Sequence, residues 1–337
     1  MGSLKLDVAT NVLRLAQPFR ISGYVFETAE VLIVTLRDDE YRGHGEGAGA
    51  YYLGDDLDHM REAVETARAA IESGPTREEL RSIMPAGGAR NAVDAALWDL
   101  EAARTGRPVW QLAGLTEAPR PIVTTFTVSA DTPEAMAARA TSYAGAKSIK
   151  IKLTGELDLD LARVAAIRAA RPYVWLGVDG NQGFVRGDLD ALVNGLLPHD
   201  IALLEQPLAR GRDAELEDFQ SPIPVAGDES LLTLADVAGA VGRFDVVNIK
   251  LDKCGGLTEG LLMAAEARRL GLGVMVGTMI GTSLATAPGF VLGQIADLVD
   301  LDGPTFLAQD RTPGVVYADG TLYAPDTVWG GARDTAK

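Results

Sequence analysis

The chain has 337 residues, 47% of them hydrophobic, which is enough to fill one large core and to leave material for a second folding unit. Its 47 acidic and 31 basic side chains give a formal net charge of −16, which disfavours nucleic acids and anionic membrane surfaces as partners. One cysteine, Cys254, excludes an internal disulfide framework, and no apolar run of about 20 residues could cross a bilayer. With no secretory leader visible either, we expect a cytoplasmic protein.

The first 117 residues are predicted to form an α+β domain. Residues 4–15 alternate between apolar and polar side chains, residues 31–37 form a β-rich run, and the acidic residues 38–40 mark a turn. This pattern is typical of antiparallel strands. Three segments with helical spacing of apolar residues follow, at 57–74, 76–84 and 89–104.

From residue 118 to residue 312 the pattern changes to a repeated unit of strand, loop and helix, which predicts a parallel α/β barrel. The remaining residues, 313–337, are predicted to form a hairpin around Asp319 and Gly320 and to return to the first domain. The predicted barrel strands are eight, near residues 122–128, 148–153, 174–179, 201–205, 223–227, 245–250, 273–277 and 298–301.

Five charged residues, each at the end of a β-rich run, recur at nearly constant intervals of 27, 26, 23 and 22 residues: Lys152, Asp179, Glu205, Asp228 and Lys250. Each interval matches one βα unit of a barrel of about 250 residues. A single acidic residue at a strand end often does no more than cap the next helix. Because the carboxyl ends of barrel strands surround one mouth, five in phase instead predict one pocket with three carboxylates and two amines.

The three carboxylates of this set, Asp179, Glu205 and Asp228, predict a site for Mg²⁺. No histidine or cysteine belongs to the set, and oxygen ligands alone favour Mg²⁺ over zinc. Three neighbouring acids would repel one another without a cation, so a bound divalent ion is also the simplest way to keep them all ionised.

The lysines on either side of the metal site predict a specific kind of chemistry. A substrate carboxylate bound to the cation makes the neighbouring carbon acidic enough to lose a proton and to pass through an enolate-like intermediate. Lys152 on the second strand and Lys250 on the sixth lie across the mouth from each other, so one can remove a proton and the other can return it to the opposite face. Lys150 shares a face of its strand with Lys152, and its charge is expected to help lower the pKa of that amine to roughly 7–8. The predicted outcome is inversion of a stereocentre.

Seven short motifs span nearly the whole chain. They are K-I-K at 150–152, V-D-G-N at 178–181, E-Q-P at 205–207, G-D-E-S at 227–230, N-I-K-L-D-K-C-G-G at 248–256, G-H-G-E-G at 43–47 and A-R-N-A-V-D-A-A-L-W-D-L at 89–100. Together they resemble the enolase superfamily, in the subgroup that contains muconate lactonising enzymes and dipeptide epimerases. The resemblance implies an α+β capping domain on a modified (β/α)₈-type TIM barrel, (β/α)₇β. It also implies that Asp179, Glu205 and Asp228 bind Mg²⁺ and that Lys152 and Lys250 are the acid/base catalysts.

The sequence V-D-L-D-G-P at 299–304 carries Asp300 and Asp302 on one side of the eighth strand. Asp-Gly-Pro is also a strong turn former, and the two roles are compatible. In the dipeptide epimerases that the chain resembles, a similar pair binds the free α-ammonium group of the substrate. We therefore predict Mg²⁺-dependent epimerisation of a dipeptide at the α-carbon of its C-terminal residue. An N-acylamino-acid racemase or an o-succinylbenzoate synthase on the same scaffold is the alternative.

The substrate side chain is expected to meet a loop at residues 19–29. Where the resemblance to alanyl-glutamate epimerases implies an arginine, this chain has Phe26, with Arg20 and Glu27 as the nearest charges. Phe26 and Tyr24 could line an apolar pocket, Arg20 could enter from another side, and simple packing explains the aromatic residues equally well. This departure from the family pattern leaves the preferred dipeptide open.

Three further residues complete the predicted site. Thr278 and Met279 follow the seventh strand and are expected to contact the substrate, and Asn181 is expected to support the metal ligands. The predicted partner is thus a small dipeptide, and a homo-oligomer is compatible with the sequence. Peptidoglycan-peptide recycling is a natural setting for such an enzyme.

Overall fold

The computed structural model describes residues 3–332. Its N-terminal unit is a three-stranded antiparallel sheet, in the order β1-β2-β3, packed against helices. This arrangement confirms the antiparallel strands and the three helices predicted for the segment. The elements are β1 (Lys5–Ile21), β2 (Tyr24–Arg37), β3 (Arg42–Ala48), α1 (Leu57–Glu72), α2 (Arg77–Ile83), α3 (Gly88–Thr105) and α4 (Val109–Leu112).

Local signals set the starts and ends of these helices. The side chain of Asp56 accepts a hydrogen bond from the backbone N–H of His59 and so caps α1 at a distance of 2.8 Å. Thr76 and Glu79 form a capping box at the start of α2. Gly106 ends α3 in the left-handed conformation, with a φ of 63°, which glycine adopts at little cost.

The motif G-H-G-E-G in β3 is explained by the packing of that strand on helix α3. A Cβ atom at Gly43, Gly45 or Gly47 would overlap backbone carbonyl oxygens of α3 that are spaced one helical turn apart. Glycine therefore lets the strand lie directly on the helix backbone. Because successive side chains of a strand point to opposite faces, Glu46 points away from α3, where it meets the second unit.

The second unit is an eight-stranded parallel sheet in sequence order, whose first and last strands adjoin each other. The fold is the predicted TIM-type barrel with a capping domain. A 3₁₀ turn at Asp213–Leu216 takes the place of an α-helix between the fourth and fifth barrel strands. The short strand β4 (Ile122–Val123) precedes the barrel and belongs to another sheet. The barrel elements are β5 (Thr125–Val128), α5 (Pro133–Ser142), β6 (Ser148–Lys152), α6 (Leu157–Ala170), β7 (Trp175–Asp179), α7 (Leu189–Leu196), β8 (Ile201–Glu205), β9 (Val225–Gly227), α8 (Leu234–Val237), β10 (Val246–Lys250), α9 (Leu251–Cys254), α10 (Leu257–Arg269), β11 (Gly273–Gly277), α11 (Ser283–Gly293) and β12 (Leu298–Asp300).

Alternation along the strands separates the hydrophobic core from the polar mouth. In β6, all five residues of S-I-K-I-K are buried, and Ile149 and Ile151 belong to the large apolar cluster between the strands and the helices. The two lysines between and after them therefore point into the barrel. A separate apolar cluster, formed by Leu203, Ala226, Val246 and Met275, fills the barrel interior.

The last described segment corrects one expectation about the tail. The predicted hairpin is present as β13 (Val316–Ala318) and β14 (Thr321–Tyr323), but it pairs with β4, just before the first barrel strand, rather than with the capping sheet. Contact with the capping domain is made further on, where the indole Nε1 of Trp329 donates hydrogen bonds to the carbonyls of His44, at 3.0 Å, and Ala95, at 3.2 Å. The pairing of β14 joins segments far apart in the chain, which local sequence patterns do not reveal. Residues 333–337 of the predicted segment lie outside the described residues.

Among the described residues, no helix combines the length and the apolar character that are needed to span a bilayer.

Candidate active site

The three phased carboxylates converge at the carboxyl ends of neighbouring strands. Asp179 ends β7, Glu205 ends β8 and Asp228 directly follows β9, and all three are completely buried. One oxygen from each lies within 4.8 Å of the oxygens of the other two. A single cation could contact all three residues at once.

The charges of this triad support a cation site. Burial, and then the charge of Asp179, raise the pKa of Glu205 to about 7. Burial alone would raise the pKa of Asp228 as well, but the ammonium groups of Lys250 and Lys253 hold it well below its usual range. The donors are all oxygen atoms, and a divalent cation would offset the repulsion between the carboxylates.

The two phased lysines contact different members of the triad. The Nζ of Lys152 donates to Asp179 Oδ2 at 2.6 Å, and the Nζ of Lys250 donates to Asp228 Oδ2, also at 2.6 Å. Their strands, β6 and β10, are the second and the sixth of the eight. Three strands therefore lie between the two lysine-bearing strands in either direction around the barrel, which places the lysines on opposite sides of the mouth.

Lys150 is part of the same ionic network. Its Nζ pairs with Asp300, lies 3.3 Å from Glu205 Oε2 and 3.8 Å from Asp179 Oδ2, and is almost fully buried. Burial would lower the pKa of Lys150 and of Lys250, but the surrounding carboxylates raise both well above the ordinary value. A divalent cation at the triad would oppose the field of the carboxylates and shift the lysine pKa values downward.

Asp300 and Asp302 are both buried at the rim, but their partners differ. Asp300 accepts from Lys150 and from the hydroxyl of Thr125. Asp302 accepts from the backbone N–H of Thr127 at 2.6 Å, and within residues 3–332 no lysine or arginine forms an ion pair with it. Burial, and then the charge of Asp300, raise the pKa of Asp302 to about 7. Asp302 is thus a buried carboxylate that lines the cavity and has no ion-pair partner among the described residues.

A cavity of about 490 Å³ lies between the barrel mouth and the capping domain. Nearly all of the sequence-predicted substrate and catalytic residues line it. They are Phe26, Lys150, Lys152, Asn181, Lys250, Thr278, Met279, Asp300 and Asp302.

Arg20 does not line the cavity. The predicted loop at 19–29 is instead a β-hairpin, in which Phe19 pairs with Phe26 and Arg20 pairs with Val25. Because side chains alternate along a strand, Phe19 and Phe26 line the cavity while Arg20 points to the other face, 3.7 Å from Asp131. Arg20 therefore lies outside the cavity in this structure, and Phe19 is a cavity residue that the sequence did not indicate.

Two residues of the N-I-K-L-D-K-C-G-G motif also join the network without having been predicted to do so. Asn248 donates from Nδ2 to Glu205 Oε1 at 2.7 Å. The completely buried Lys253 donates to Asp228 Oδ1 at 2.5 Å, so that this carboxylate contacts two ammonium groups. Asn248 shares a strand face with Lys250, and this alternation was the signal that could have indicated it.

Asn181 contacts a carboxylate of the metal site through its backbone and the neighbouring Glu229 through its side chain. Its N–H donates to Asp179 Oδ1 at 2.8 Å, and its side chain donates to Glu229 Oε1 at 3.2 Å. Glu229 is buried, and burial together with the charge of Asp228 raises its pKa to about 8. The G-D-E-S motif contained this residue, but its role was not apparent from the sequence.

Two buried acids attach the capping domain to the barrel rim. Glu46 of β3 accepts hydrogen bonds from the backbone N–H of Thr282, at 2.7 Å, and from its hydroxyl, at 2.6 Å. Asp252 accepts from the backbone N–H of Ala48 at 2.9 Å. These contacts hold the last capping strand against the barrel and fix one side of the cavity.

Two family models match the chain. The model for the mandelate racemase/muconate lactonizing enzyme N-terminal domain matches residues 4–114, and the enolase C-terminal domain-like model matches residues 134–330. The chain belongs to this branch of the enolase superfamily. The family resemblance inferred from the motifs is thereby confirmed.

Similar members of the superfamily are named as epimerases and racemases. The L-Ala-D/L-Glu epimerase of Escherichia coli strain K12 is 40% identical, with 92% of this chain and 96% of that one covered. The N-acetyl-D-glutamate racemase of a Pseudoalteromonas species is 37% identical, with 91% and 97% covered. This superfamily member is an enzyme of the isomerase class.

A solved relative contains both Mg and a dipeptide. The dipeptide epimerase of Enterococcus faecalis V583, complexed with Mg and the dipeptide L-Leu-L-Tyr, has a TM-score of 0.89 to this chain at 28% identity, with 95% and 96% of the two chains covered.

Proposed function

We propose that this enzyme epimerises a dipeptide at the α-carbon of its C-terminal residue, with Mg²⁺ as its cofactor. The observation that carries the proposal is the arrangement of the two lysines. Lys152 and Lys250 arise from strands on opposite sides of the barrel, and each contacts a different carboxylate of the same triad.

The residues that would hold Mg²⁺ are Asp179, Glu205 and Asp228. Three buried oxygen donors without nitrogen or sulfur fit this ion. Burial, and then the charge of Asp179, raise the pKa of Glu205, and a cation would offset both effects by favouring the ionised carboxylate. When bound, the ion would draw negative charge from the substrate carboxylate and so make the adjacent α-proton easier to remove.

The chain's own residues then account for inversion. One lysine, as the neutral amine, removes the α-proton from its side of the carbon and becomes an ammonium group. The other lysine, as an ammonium group, delivers a proton to the opposite side of the planar enolate. The bonds to the α-carbon are restored with the opposite configuration, and the roles of the lysines reverse for the opposite epimer.

Asp302 supports a dipeptide over an acylated amino acid. Its carboxylate is buried at the cavity wall without an ion-pair partner among the described residues, and an N-terminal ammonium group of a dipeptide would supply that partner. An N-acyl group has no positive charge and would leave the carboxylate uncompensated.

Racemisation of an N-acylamino acid is the second candidate, because one relative is named N-acetyl-D-glutamate racemase. The two functions share the metal site and both lysines and differ at the amino end of the substrate. Asp302 is therefore the residue that would distinguish a dipeptide from an N-acylamino acid.

Deuterium incorporation in D₂O tests the proposal. The enzyme with Mg²⁺ is incubated with a panel of L-Ala-L-Xaa dipeptides and, in parallel, with N-acetyl-L-amino acids, and α-deuteration and epimer formation are followed by mass spectrometry and NMR. We expect exchange in dipeptides only, at the C-terminal residue. Faster exchange in the N-acetylated set would reject the dipeptide assignment.

We further infer that the enzyme acts in the cytoplasm, on peptides such as those released from peptidoglycan. A single buried thiol, Cys254, is compatible with a reducing compartment. Metabolite profiling of a deletion strain for accumulated dipeptides tests this setting.

A further inference from the structure

Resting on the proposed function, we infer that the residue which this enzyme epimerises has an apolar, preferably aromatic, side chain, and that L-Ala-L-Glu is a poor substrate. The side chain of that residue would meet the part of the cavity that the capping domain forms.

The positions of the other substrate groups fix the direction of this side chain. The carboxylate belongs at the triad, the α-carbon between Lys152 and Lys250, and the ammonium group at Asp302 on the eighth strand. The barrel interior is filled by the apolar cluster that contains Leu203 and Met275. The remaining substituent, the side chain, must therefore point out of the barrel toward the capping domain.

The capping side of the cavity is an aromatic wall, formed by Phe19, Phe26, Tyr51 and Phe306, which all line the cavity. The ring of Phe26 packs on Tyr51 with centroids 5.2 Å apart, and Phe19 packs on Phe306 at 4.7 Å. These rings come from the capping hairpin, the turn before α1 and the segment after β12. An apolar or aromatic side chain would bury its surface against them with favourable ring contacts.

An acidic side chain would find no counterion in this cavity. Among the described residues that line it, the basic ones are Lys150, Lys152 and Lys250, and each pairs with a carboxylate at the bottom of the site. Glu30, exposed at the rim, would repel a second carboxylate. A carboxylate desolvated without a partner is strongly disfavoured.

A cationic side chain is also less suited than an apolar one. Asp55 and Asp56 line the cavity, but both are engaged. Asp55 accepts from the backbone N–H of Gly88 at 3.0 Å and contacts the ring of His59 at 2.9 Å, while Asp56 caps α1. Glu30 alone remains for a cation, in a solvent-exposed position where ion pairs contribute little.

The first experiment compares kcat/KM for α-deuterium exchange, with Mg²⁺ present, on L-Ala-L-Phe, L-Ala-L-Leu, L-Ala-L-Lys and L-Ala-L-Glu. We expect the phenylalanyl and leucyl dipeptides to exceed the glutamyl dipeptide on the order of 100-fold. A preference for the glutamyl or the lysyl dipeptide would overturn this inference and leave the proposed function intact. An absence of exchange in every dipeptide would overturn the proposed function, and the inference with it.

The second experiment compares an added positive charge on the cavity face of the hairpin with one on its opposite face. Phe26→Arg places a guanidinium group at the cavity and should raise the ratio of glutamyl to phenylalanyl kcat/KM by about 10-fold or more. Val25→Arg is the matched control, because Val25 is its 61% exposed neighbour on the opposite face of β2. An equal change in both variants, or no change in Phe26→Arg while it retains exchange activity, would overturn the assignment.

A third variant keeps the test decisive if Phe26→Arg does not fold. Phe26→Leu preserves the apolar character of the wall, so the glutamyl dipeptide should remain the poorer substrate while the preference for phenylalanyl over leucyl dipeptide narrows. A glutamyl preference in this variant would contradict the inference.

Discussion

The bottom and the top of the cavity are built by different physical means. The ionic floor consists of Lys150, Lys152, Asp179, Glu205, Asp228 and Lys250. Its members lie at the ends of successive strands of one sheet, and every charge is buried and within 4.0 Å of an opposite one. Removing any one partner would leave another charge buried and uncompensated.

The aromatic wall has no such constraint. Its rings come from separate places in the chain and are held by ring packing and apolar contacts. A ring can be exchanged for another side chain of similar size at modest cost to stability. The ionic floor therefore fixes the reaction, whereas substitutions in the aromatic wall can change which substrate is preferred.

The largest effect is expected at the floor. Lys152→Ala and Lys250→Ala should each reduce epimerisation by about 10²–10⁴-fold, because each removes one of the two acid/base groups. Each variant should keep α-deuterium exchange with one epimer of the substrate and lose it with the other. NMR of exchange in the L,L and L,D dipeptides checks this. Loss of exchange with the same epimer in both variants would contradict opposed lysines.

A smaller effect on activity is expected at Asp302, beside the floor, where the substrate amino group would bind. Asp302→Asn removes the charge but keeps the shape, and should raise KM for dipeptides by roughly 10- to 100-fold, the loss of one charged hydrogen bond. The rate with N-acetylated amino acids, however low, should not fall. Steady-state kinetics on both substrate classes separate this result from a general loss of activity.

The KM of the wild-type enzyme for dipeptides should depend on pH through the titration of Asp302. Because the pKa of Asp302 is raised to about 7, it is increasingly protonated as the pH falls below that value and no longer pairs with an ammonium group. The KM for dipeptides should then rise by up to about 10-fold per pH unit. Asp302→Asn should lack this rise, and an unchanged profile in that variant would assign the titration elsewhere.

Metal binding should be visible without any substrate. Mg²⁺ at about 100-fold excess over its Kd should stabilise the folded state by about 2.7 kcal/mol, a shift of several degrees in Tm, and EDTA should reverse it. Calorimetry measures the shift. Asp228→Asn is the control, because loss of one ligand should reduce the response to Mg²⁺ while leaving the response to an unrelated salt unchanged.

The smallest effect on activity is expected where β3 packs on α3, at a glycine that does not line the cavity. Gly45→Ala would force β3 away from α3 and should cost about 1–3 kcal/mol in the free energy of unfolding, with kcat little changed at 25 °C. Gly187→Ala is the control, because a Cβ atom there meets nothing within 4 Å. Equal losses of stability in urea denaturation would contradict the tight packing of β3 on α3.

The floor could be predicted from the sequence because its information is local. A strand that ends in a charged residue places that residue at the mouth, and the regular spacing of Lys152, Asp179, Glu205, Asp228 and Lys250 places all of them in the same layer. The barrel strands at 201–205 and 273–277 have the predicted bounds, because apolar runs bounded by turn signals define buried parallel strands. The fold class followed from the same repetition.

The wall could not be predicted in the same way, because its contacts join distant segments. Phe19 and Phe306 meet only once the hairpin has folded over the barrel. The direction of Arg20 depended on whether residues 19–29 form a loop or two paired strands, and side-chain alternation applies only to strands. Asn248 and Lys253 were within a recognised motif, but their partners Glu205 and Asp228 come from other strands.

The seating of Trp329 has a practical consequence for anyone who shortens or splits this chain. Its indole donates hydrogen bonds to both β3 and α3, and the backbone N–H of Gly330 donates to Asp99 at 2.9 Å. Trp329 and Gly330 therefore hold the C-terminal segment against the capping domain. An expression fragment of the capping domain alone would lack Trp329 and Gly330 and therefore these hydrogen bonds. Shortened versions of this enzyme should therefore be trimmed within loops and should keep Trp329 and Gly330.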